Sequence, residues 1–367
     1  MRPVFAVGTG GTKFGLQDVP VEESLLEASA ELFLGTDIQR ESVDAVIAST
    51  NDNSKYLGAI LAEKCGITPR IAHTVESLCS SGTSAIVSGV SYIASGMAEV
   101  VLVAGAEKSK SPGGILEWDQ SRGGYPEPVF WASLFAGAYK REHGASAEDL
   151  AAVAAKNHRN AASNPRACSA MDITIQDVLE SRSITDDLKL YECSRECSGG
   201  AAILLASKDA ARGQEAPVRI SGIGQRTVSA SLSGAGPLVH MESTAMAAAD
   251  ALAASNRSAK EIDVMELHDA FGICEPMALE GIGIAGKGRG AAFCSKLYET
   301  GDNFVNPRGG LIGAGHPLGA TGIAQANEIV MQLQGAAKGR QVEGAAAGLV
   351  HNMSAAATSS TVLVMEA

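Results

Sequence analysis

A cysteine and a histidine, each at the start of a small-residue helix, are the side chains in this sequence best suited to covalent chemistry. Cys79 follows an apolar stretch, Ile71–Leu78, and opens a run of small residues that predicts a helix start. Unpaired backbone N–H groups and the helix dipole at such a junction favour the thiolate, the form that a nucleophilic cysteine needs. His316 lies in a second glycine-rich helix start, Gly313–Gly322. A thiolate with a positioned imidazole is the minimum set for covalent acyl transfer.

Three further residues are candidates for the same site. His268 follows a predicted strand, Cys274 begins a predicted helix and His351 ends another predicted strand. Each has a structural alternative, because strand-end histidines often bond to the backbone and most free cysteines are small core residues. Cys193 and Cys197 suggest a metal only weakly, since a structural zinc site needs two more ligands at suitable spacing. We therefore expect no metal.

The composition narrows the class of protein and its partners. Apolar residues make up 46% of the 367 positions and aromatic residues only 4%, which suits small side chains packed between helices and sheets. The net charge of −12 argues against non-specific binding to nucleic acid. The apolar runs are far shorter than the roughly 20 residues of a membrane span, and neither end resembles a targeting signal. Seven cysteines without paired spacing predict reduced thiols and a cytoplasmic location.

A weak internal repeat predicts two halves with one plan. Val4–Gly10, a short strand ending in glycine, is echoed 214 residues later by Val218–Gly224. Val43–Ile47 is similarly echoed by Ile262–Met265, 219 residues on. Helical segments follow each strand, and each half then reaches its small-residue helix. Alternation of strands and helices predicts mostly parallel sheets covered on both faces, with Cys79 and His316 facing each other across a central cleft.

The first half carries an insertion. Its last two strands, Val100–Gly105 and Ala201–Ser207, are about ninety residues apart, whereas the corresponding strands of the second half are joined by a short turn. Glu107–Cys197 is therefore expected to form an inserted domain, with an amphipathic helix over Asp149–Ala162. It also contains the glycine- and proline-rich stretches 112–114 and 123–126. The predicted division is 1–106 completed by 198–214, the insertion 107–197, and a second half of 215–367.

Several strings together resemble one family. The chain is similar to thiolases, specifically the sterol-carrier-protein-2-type and archaeal acetyl-CoA acetyltransferases, along almost its whole length. The strings that carry the resemblance are Gly8–Gly15, Cys79–Gly82, Val153–His158, Cys193–Ala202, His268–Phe271, Asn306–Gly310, Gly315–Gly322 and His351-Asn352.

The resemblance implies an α/β fold of five layers, αβαβα, with two pseudo-symmetric halves and an inserted loop domain that covers coenzyme A. It implies that Cys79 becomes acylated, that His316 takes its proton and that His268 helps to bind the thioester oxygen. Coenzyme A would be substrate and product, without a separate cofactor. Such enzymes are at least dimeric, so a homodimer or homotetramer is expected. Archaeal relatives also assemble with an OB-fold accessory protein and a 3-hydroxy-3-methylglutaryl-CoA synthase.

The second acid–base group departs from the family pattern. Thiolases need a group, usually a cysteine, that deprotonates the α-carbon of the incoming acyl-CoA. The two positions where the family carries it are Ala270 and the segment His351–Ser354 in this chain, and neither supplies a cysteine. Cys274, one helical turn beyond Ala270, could reach the same cleft. His351 is the other candidate.

Contacts to coenzyme A are less clearly marked. Ser194 is a candidate for the pantetheine arm, although the chain has one extra residue there relative to the family. Lys287 is a candidate for the phosphates, with solvated surface as the alternative for every basic group in this set: Lys156, His158, Arg159, Lys287 and Arg289. Gly281–Gly286 has the letters of a dinucleotide motif but follows a predicted helix, not a strand, and is not taken as one.

The sequence thus predicts condensation of two acetyl-CoA to acetoacetyl-CoA, or the reverse thiolysis, through an acyl-cysteine. Two alternatives stay open. A ketosynthase-like enzyme would use Cys79, His268 and His316 and need no second cysteine. A weakly active thiolase-like subunit would act mainly as an assembly partner in a larger acyl-CoA complex.

Overall fold

The computed structural model describes residues 2–109, 121 and 127–367. The glycine- and proline-rich stretches 112–114 and 123–126 lie outside these residues. Among the helices described, none has the length and apolar character needed to span a membrane.

The predicted strands and helices are present, with ends shifted by a few residues. The strands are β1 (Val4–Gly11), β2 (Ala45–Ser49), β3 (Ile71–Val75), β4 (Val100–Glu107), β5 (Ser183–Thr185), β6 (Leu188–Lys189), β7 (Gly199–Ser207), β8 (Val218–Thr227), β9 (Val264–Glu266), β10 (Ala347–Ser354) and β11 (Ser359–Glu366). The helices are α1 (Val21–Leu34), α2 (Leu57–Cys65), α3 (Ser81–Ala94), α4 (Pro128–His143), α5 (Ala147–Ala161), α6 (Ile175–Glu180), α7 (Glu242–Ser255), α8 (Cys274–Ile282), α9 (Gly290–Thr300), α10 (Gly310–Ala314) and α11 (Leu318–Leu333).

Nine of the described strands form one mixed sheet in the order β3-β2-β4-β7-β1-β8-β11-β10-β9. Only three of its pairings are parallel, namely β2 with β3, β2 with β4, and β9 with β10; the other five are antiparallel. The expectation of mostly parallel sheets is therefore wrong. The turn Ala355–Thr358 is too short for a crossover, so β11 must run antiparallel to β10. β7 follows the insertion and likewise runs antiparallel to its neighbour, β4.

The strand order is nearly a mirror image about the contact between β1 and β8. β1, β2, β4 and β7 of the first half correspond to β8, β9, β10 and β11 of the second. The counterpart of β3 is reduced to an isolated parallel bridge between Val305 and Met265. The halves meet through three residue pairs, from Val4 with Ile220 to Ala6 with Val218.

The layers follow from what each helix packs against. α3 and α11 lie in the middle, where their apolar residues share one cluster with strands of both halves, and nearly every residue of α11 is buried. α1 and α2 cover the outer face of the first half. α7, α8 and α9 cover the outer face of the second. This is the predicted five-layered αβαβα arrangement.

The insertion is mainly helical among its described residues. It contributes α4, α5, α6 and the small hairpin of β5 and β6. The predicted amphipathic helix is α5, which begins at a capping box in which Ser146 and Asp149 satisfy each other's backbone N–H. Most of α5 is buried, since α6, α9 and α10 pack around it.

Candidate active site

The starts of α3 and α11 touch through their backbones, which brings the two glycine-rich loops together. A Cβ added to Gly322 would lie 2.6 Å from the backbone nitrogen of Thr83. One added to Gly82 would lie 3.0 Å from the backbone nitrogen of Ile323. Only glycine permits so close an approach without moving a helix. The residues that precede both helices are therefore held side by side.

Cys79 lies in a single 3-10 turn, Leu78–Ser80, immediately before α3. Leu78 has a φ of +49°, a left-handed conformation that is strained for a bulky side chain. The Ser81 hydroxyl accepts a hydrogen bond from the Ser77 N–H at 2.8 Å and donates one to the Leu78 carbonyl at 2.6 Å. These bonds hold the turn so that the half-buried Cys79 side chain stands at the entrance to the helix.

Burial opposes ionisation of the Cys79 thiol. Burial raises its pKa to about 12, although the backbone N–H groups of Ala355 and of Cys79 itself favour the thiolate. The carboxylates of Glu107 and Glu76 add to the rise. The backbone dipoles thus favour the thiolate as expected, but lost hydration has the larger effect on the pKa. A base must remove the proton as the thiol reacts.

His316 is placed to be that base. Its Nδ1 lies 2.8 Å from the Thr321 hydroxyl, which itself donates to the Pro317 carbonyl at 2.8 Å. Since that hydroxyl hydrogen is already used, Thr321 accepts from His316 Nδ1–H, which leaves the lone pair on Nε2. Burial, followed by the positive charge of Arg308, lowers the pKa of His316 to about 3. The imidazole is therefore neutral and able to accept a proton.

His268 lies edge-on to His316, with ring centroids 5.0 Å apart and an interplanar angle of 89°. It is buried just after β9. Burial, and then the neighbouring His316 and His351, lower its pKa well below the usual value, against a weaker opposite effect from the Asn352 side chain. A neutral ring in this position can donate one N–H to an oxygen that develops negative charge.

These three side chains converge. One ligand-type atom from each of Cys79, His268 and His316 lies within 4.8 Å of the other two. The arrangement combines a nucleophile, an unprotonated nitrogen and a hydrogen-bond donor, as acyl transfer requires. Sulfur and imidazole nitrogen are also atoms that zinc binds, but the group contains three ligands, whereas a closed zinc site has four. The expectation of no metal stays a prediction.

A buried polar network fixes the loop that carries His268. The neighbouring Asp269 accepts hydrogen bonds at 2.6 Å from both the Leu311 N–H and the Asn157 side chain. Lys156 forms a fully buried ion pair of 3.1 Å with Glu275. Since Lys156 and Asn157 belong to α5, the insertion holds this part of the site in place.

Two of the basic groups considered for phosphates are excluded by this burial. Lys156 has no exposed side-chain surface, and His158 is buried with its Nδ1 2.8 Å from the Ser169 carbonyl. The expectation that such groups are solvated surface is wrong for both, because α5 is enclosed by its neighbours.

Cys274 lies close to the site but deep in the protein. It is the first residue of α8 and is fully buried in an apolar cluster with Trp131 and Phe271. Burial raises the pKa of its thiol strongly, and the neighbouring acidic groups, with Asp269 first, add to the rise. Its role in proton transfer stays a prediction.

His351 faces a different layer. Its Nε2 lies 3.0 Å from the Thr244 hydroxyl of α7, which continues to Ser360 at 3.0 Å. Burial lowers its pKa to about 3. The next residue, Asn352, points the other way and donates to Gln325 of α11 at 2.6 Å. Strand alternation therefore turns His351 away from the central helices, and it is not among the three converging side chains.

The two predicted coenzyme A contacts differ in setting. Ser194 is half-buried, and its N–H donates to the Ala270 carbonyl at 2.8 Å, beside the position from which the family cysteine would project. Lys287 lies in the exposed turn between α8 and α9. Ser194 is thus near the site, whereas Lys287 is on the surface; both assignments stay predictions.

Sequence reasoning missed two groups that complete the site. Thr321 fixes the tautomer of His316, and its position five residues further on in the same motif was an available signal. The backbone N–H of Ala355, directed at Cys79, comes from the turn after β10. No side-chain pattern could have identified it, because any residue provides an N–H.

Comparison with known proteins identifies relatives along almost the whole chain. The thiolase N-terminal domain model matches residues 4–114, and the thiolase C-terminal domain-like model matches residues 224–367. The chain is 35% identical to an acetyl-CoA acetyltransferase of Methanothermobacter thermautotrophicus, with 96% of each chain covered. It is 31% identical to sterol carrier protein 2 of Bos taurus, with 95% of this chain and 70% of the relative covered.

A solved structure supports the fold. The Ltp2-ChsH2(DUF35) aldolase superposes with a TM-score of 0.87 at 23% identity, covering 100% of this chain and 98% of the other. At that identity the likeness concerns the fold alone.

Proposed function

The chain belongs to the thiolase family of acyl-CoA acyltransferases, and from this premise we propose that it condenses two acetyl-CoA molecules to acetoacetyl-CoA, or cleaves acetoacetyl-CoA in reverse, through an acyl-Cys79 intermediate. The observation that carries the proposal is the convergence of Cys79, His268 and His316 within 4.8 Å. The acetyl-CoA acetyltransferase relatives support the choice of substrate.

In the first half-reaction Cys79 attacks the thioester carbonyl of acetyl-CoA. Its proton passes to Nε2 of His316 as the sulfur–carbon bond forms, so no free thiolate has to persist. An N–H donor at the carbonyl oxygen, from His268 or the backbone, stabilises the oxyanion. The carbon–sulfur bond to coenzyme A then breaks, and the departing thiolate takes the proton from His316.

In the second half-reaction a base removes a proton from the α-carbon of another acetyl-CoA. The resulting carbanion attacks the acetyl group on Cys79, the carbon–carbon bond forms, and Cys79 leaves as the thiolate, which takes up the proton that the base removed. We propose Cys274 as the base, with His351 next. The orientation of His351 toward Thr244 of α7 supports this order.

The three converging side chains also favour a second candidate. A decarboxylating, ketosynthase-like enzyme would obtain its carbanion by loss of carbon dioxide and would use only Cys79, His268 and His316. It would need no base at Cys274. Comparing malonyl-CoA with acetyl-CoA as donor separates the two candidates, because only the ketosynthase-like enzyme would depend on the malonyl group.

We further propose a cytoplasmic homo-oligomer that uses acyl-CoA without a separate cofactor. The seven cysteines are all free thiols, which fits a reducing compartment. The solved Ltp2-ChsH2(DUF35) aldolase, in which a chain of this fold is paired with a DUF35 protein, supports an accessory partner. An OB-fold protein and a 3-hydroxy-3-methylglutaryl-CoA synthase remain the proposed partners. The alternative to an active thiolase is a weakly active subunit that serves mainly to assemble such a complex.

The proposal is tested by trapping the intermediate. Incubation with acetyl-CoA, rapid acid quenching and peptide mass mapping should place one acetyl group on Cys79. Cys79→Ser should not accumulate it, whereas Cys65→Ser, a change at a buried cysteine of α2, should retain it. Acetylation at another cysteine together with an active Cys79→Ala variant would refute the mechanism.

A further inference from the structure

A pair of cysteines that the proposed reaction does not use lies beside the loop that carries His316. Cys197 is buried in the central apolar cluster, and the half-buried Cys168 packs against the same cluster. The Cys197 thiol donates a hydrogen bond to the Cys168 sulfur. Both contact the loop at one point, since a Cβ added to Gly315 would lie 2.7 Å from Cys197 Sγ and 3.0 Å from Cys168 Cβ. The fold thus brings together two thiols that are far apart in the sequence.

The spacing in the sequence groups Cys197 with Cys193, but the structure separates those two. Cys193 donates a hydrogen bond to the Lys189 carbonyl at 3.4 Å and packs against a different apolar cluster, that of Trp131. In the described part of the chain, no third sulfur, imidazole or carboxylate joins Cys168 and Cys197 in a group that could hold a metal ion. Two thiols are too few for a zinc site, so the pair is better suited to thiol–disulfide exchange.

The Cys168 thiol has an electropositive setting in a protein whose net charge is −12. The hydrogen bond from Cys197 is the main cause that lowers the pKa of Cys168 to about 6, against the effect of burial. The positive charges of Arg195 and Lys13, both exposed residues, lower it further. A partly exposed thiol beside positive charge is the setting in which a cysteine reacts as the thiolate.

Cys197 has the opposite character. The hydrogen bond that it donates to Cys168, followed by burial and the negative charge of Cys168, raises the pKa of its thiol. If Cys168 enters a neutral disulfide, that charge disappears and with it the main cause that holds the proton on Cys197. The geometry therefore favours Cys168 as the first thiol to react and Cys197 as the second.

We propose that Cys168 and Cys197 form a reversible disulfide by exchange with a low-molecular-weight disulfide. The Cys168 thiolate attacks one sulfur of the small disulfide, whose S–S bond breaks; the released thiolate takes from solvent the proton that Cys168 had lost. Cys197 then attacks the Cys168 sulfur, and the second small thiolate leaves with the proton of Cys197. Two protein thiols are oxidised, and one small disulfide is reduced to two thiols. Transient redox-sensing disulfides of this kind also occur in reducing compartments.

The pair lies where the backbone of the His316 loop is anchored. The Cys168 N–H donates to the Ala314 carbonyl at 2.9 Å. The His316 N–H donates to the Arg195 carbonyl at 3.1 Å and also to the Cys197 sulfur. Because a disulfide brings its sulfurs to about 2.05 Å, the Cys197 sulfur must move toward Cys168 and away from that N–H. We therefore expect the disulfide to displace His316.

Mass spectrometry after incubation with oxidised glutathione tests the site. Trypsin cleaves after arginine and lysine, so Cys168, Cys193 and Cys197 lie in three different peptides. We expect a disulfide between the Cys168 and Cys197 peptides that dithiothreitol reverses. It should form at least about tenfold faster than glutathione adds to Cys193, whose pKa is raised to about 12. Unmodified Cys168, lasting glutathione on Cys168, or a link from Cys197 to Cys193 would overturn the proposal.

Three serine variants assign the order of reaction. Cys197→Ser should keep glutathione on Cys168 as a stable mixed disulfide, because the second thiol is absent while the hydroxyl can still donate to the Cys168 sulfur. Cys168→Ser should leave Cys197 unmodified, since a buried thiol with a raised pKa reacts slowly. Cys193→Ser, the matched control, should form the disulfide as the wild type does. Glutathione on Cys197 in Cys168→Ser would refute the order.

A second measurement concerns the catalytic site, and this part rests on the proposed function. Acetylation of Cys79 by acetyl-CoA should be roughly ten- to a hundredfold slower in the disulfide form, the usual effect of a small displacement of a catalytic group, and should recover with dithiothreitol. Cys168→Ser treated with oxidised glutathione should keep its untreated rate. Equal rates in the two wild-type forms, or equal slowing in Cys168→Ser, would refute the effect on His316. A reduced protein that never acetylates Cys79 would instead refute the proposed function, and the disulfide would still be judged by its own peptides.

Discussion

At the level of single residues, the site depends on a neutral thiol beside a neutral imidazole. Burial raises the pKa of Cys79 and lowers the pKa of His316, so neither group is charged near pH 7. A buried ion pair would cost desolvation of both charges before any substrate arrived. Proton transfer during attack avoids that cost, which makes the position of Nε2 more important than the acidity of the thiol.

The reactivity of the cysteines should therefore depend on pH in a characteristic way. Cys79 has a pKa of about 12, so its thiolate fraction, and its rate of alkylation by iodoacetamide, should rise about tenfold per pH unit from pH 7 to 10. Cys168 has a pKa lowered to about 6, chiefly by a hydrogen bond from Cys197, and should react at a nearly constant rate above pH 7. Mass spectrometry of each peptide measures both rates. A plateau for Cys79 below pH 9 would show that its thiolate is stabilised after all.

The role of Cys274 should be specific to one step. Cys274→Ala should still form acetyl-Cys79 but lose condensation and thiolysis together, by roughly 10²–10⁴-fold, the usual contribution of a positioned acid or base. Single-turnover measurement of each half-reaction separates the steps. Cys65→Ala, at a buried cysteine of α2, is the matched control. Normal condensation in Cys274→Ala would transfer the role to His351 or His268 and favour the ketosynthase-like alternative.

Sequence motifs pointed to Cys79 and His316 as the candidate reacting pair but not to the protonation of either group. Cys79 and His316 could be found because each motif couples a reactive side chain to a glycine-dependent backbone. The protonation of Cys79 could not, because desolvation depends on what later packs around the sulfur. The orientation of His351 could not be predicted either, because a shift of one residue along β10 turns a side chain to the opposite face of the sheet.

At the level of secondary structure, the contact between α3 and α11 determines whether the site exists. Gly322→Ala would place a methyl group 2.6 Å from the Thr83 backbone nitrogen, and helices cannot relieve that contact without separating. We expect a loss of about 1–3 kcal/mol in the free energy of unfolding and a larger proportional loss of activity.

Denaturant unfolding and initial-rate assays measure the two effects. Gly35→Ala is the control, because its added Cβ would meet nothing nearer than 3.6 Å and its φ is −102°. Full activity in Gly322→Ala would mean that the spacing of these helices does not position Cys79 and His316.

For the molecule as a whole, the repeat and the layers were predictable, but the strand directions were not. Periodicity shows that a strand exists and that both of its faces are buried, as the fully buried β4 and β7 illustrate. Direction depends on how the chain returns to the sheet. The direction of β7 could not be predicted across the long insertion that precedes it. The direction of β11 could have been predicted, because the turn before it is too short for a parallel crossover.

The two halves should unfold together. Their largest apolar cluster draws on strands of both halves and on α3 and α11, although only three residue pairs join β1 to β8. Differential scanning calorimetry should therefore show one heat-absorption peak, and acyl-CoA should move it as a unit. Two separable peaks would show that each half has an independent core.

The mirror-like strand order also separates the catalytic labour between the copies. The first half carries Cys79, and the second carries His268 and His316, so neither copy has both a nucleophile and its base. Neither half could therefore carry out the proposed reaction alone, because its reactive groups come together only where α3 meets α11.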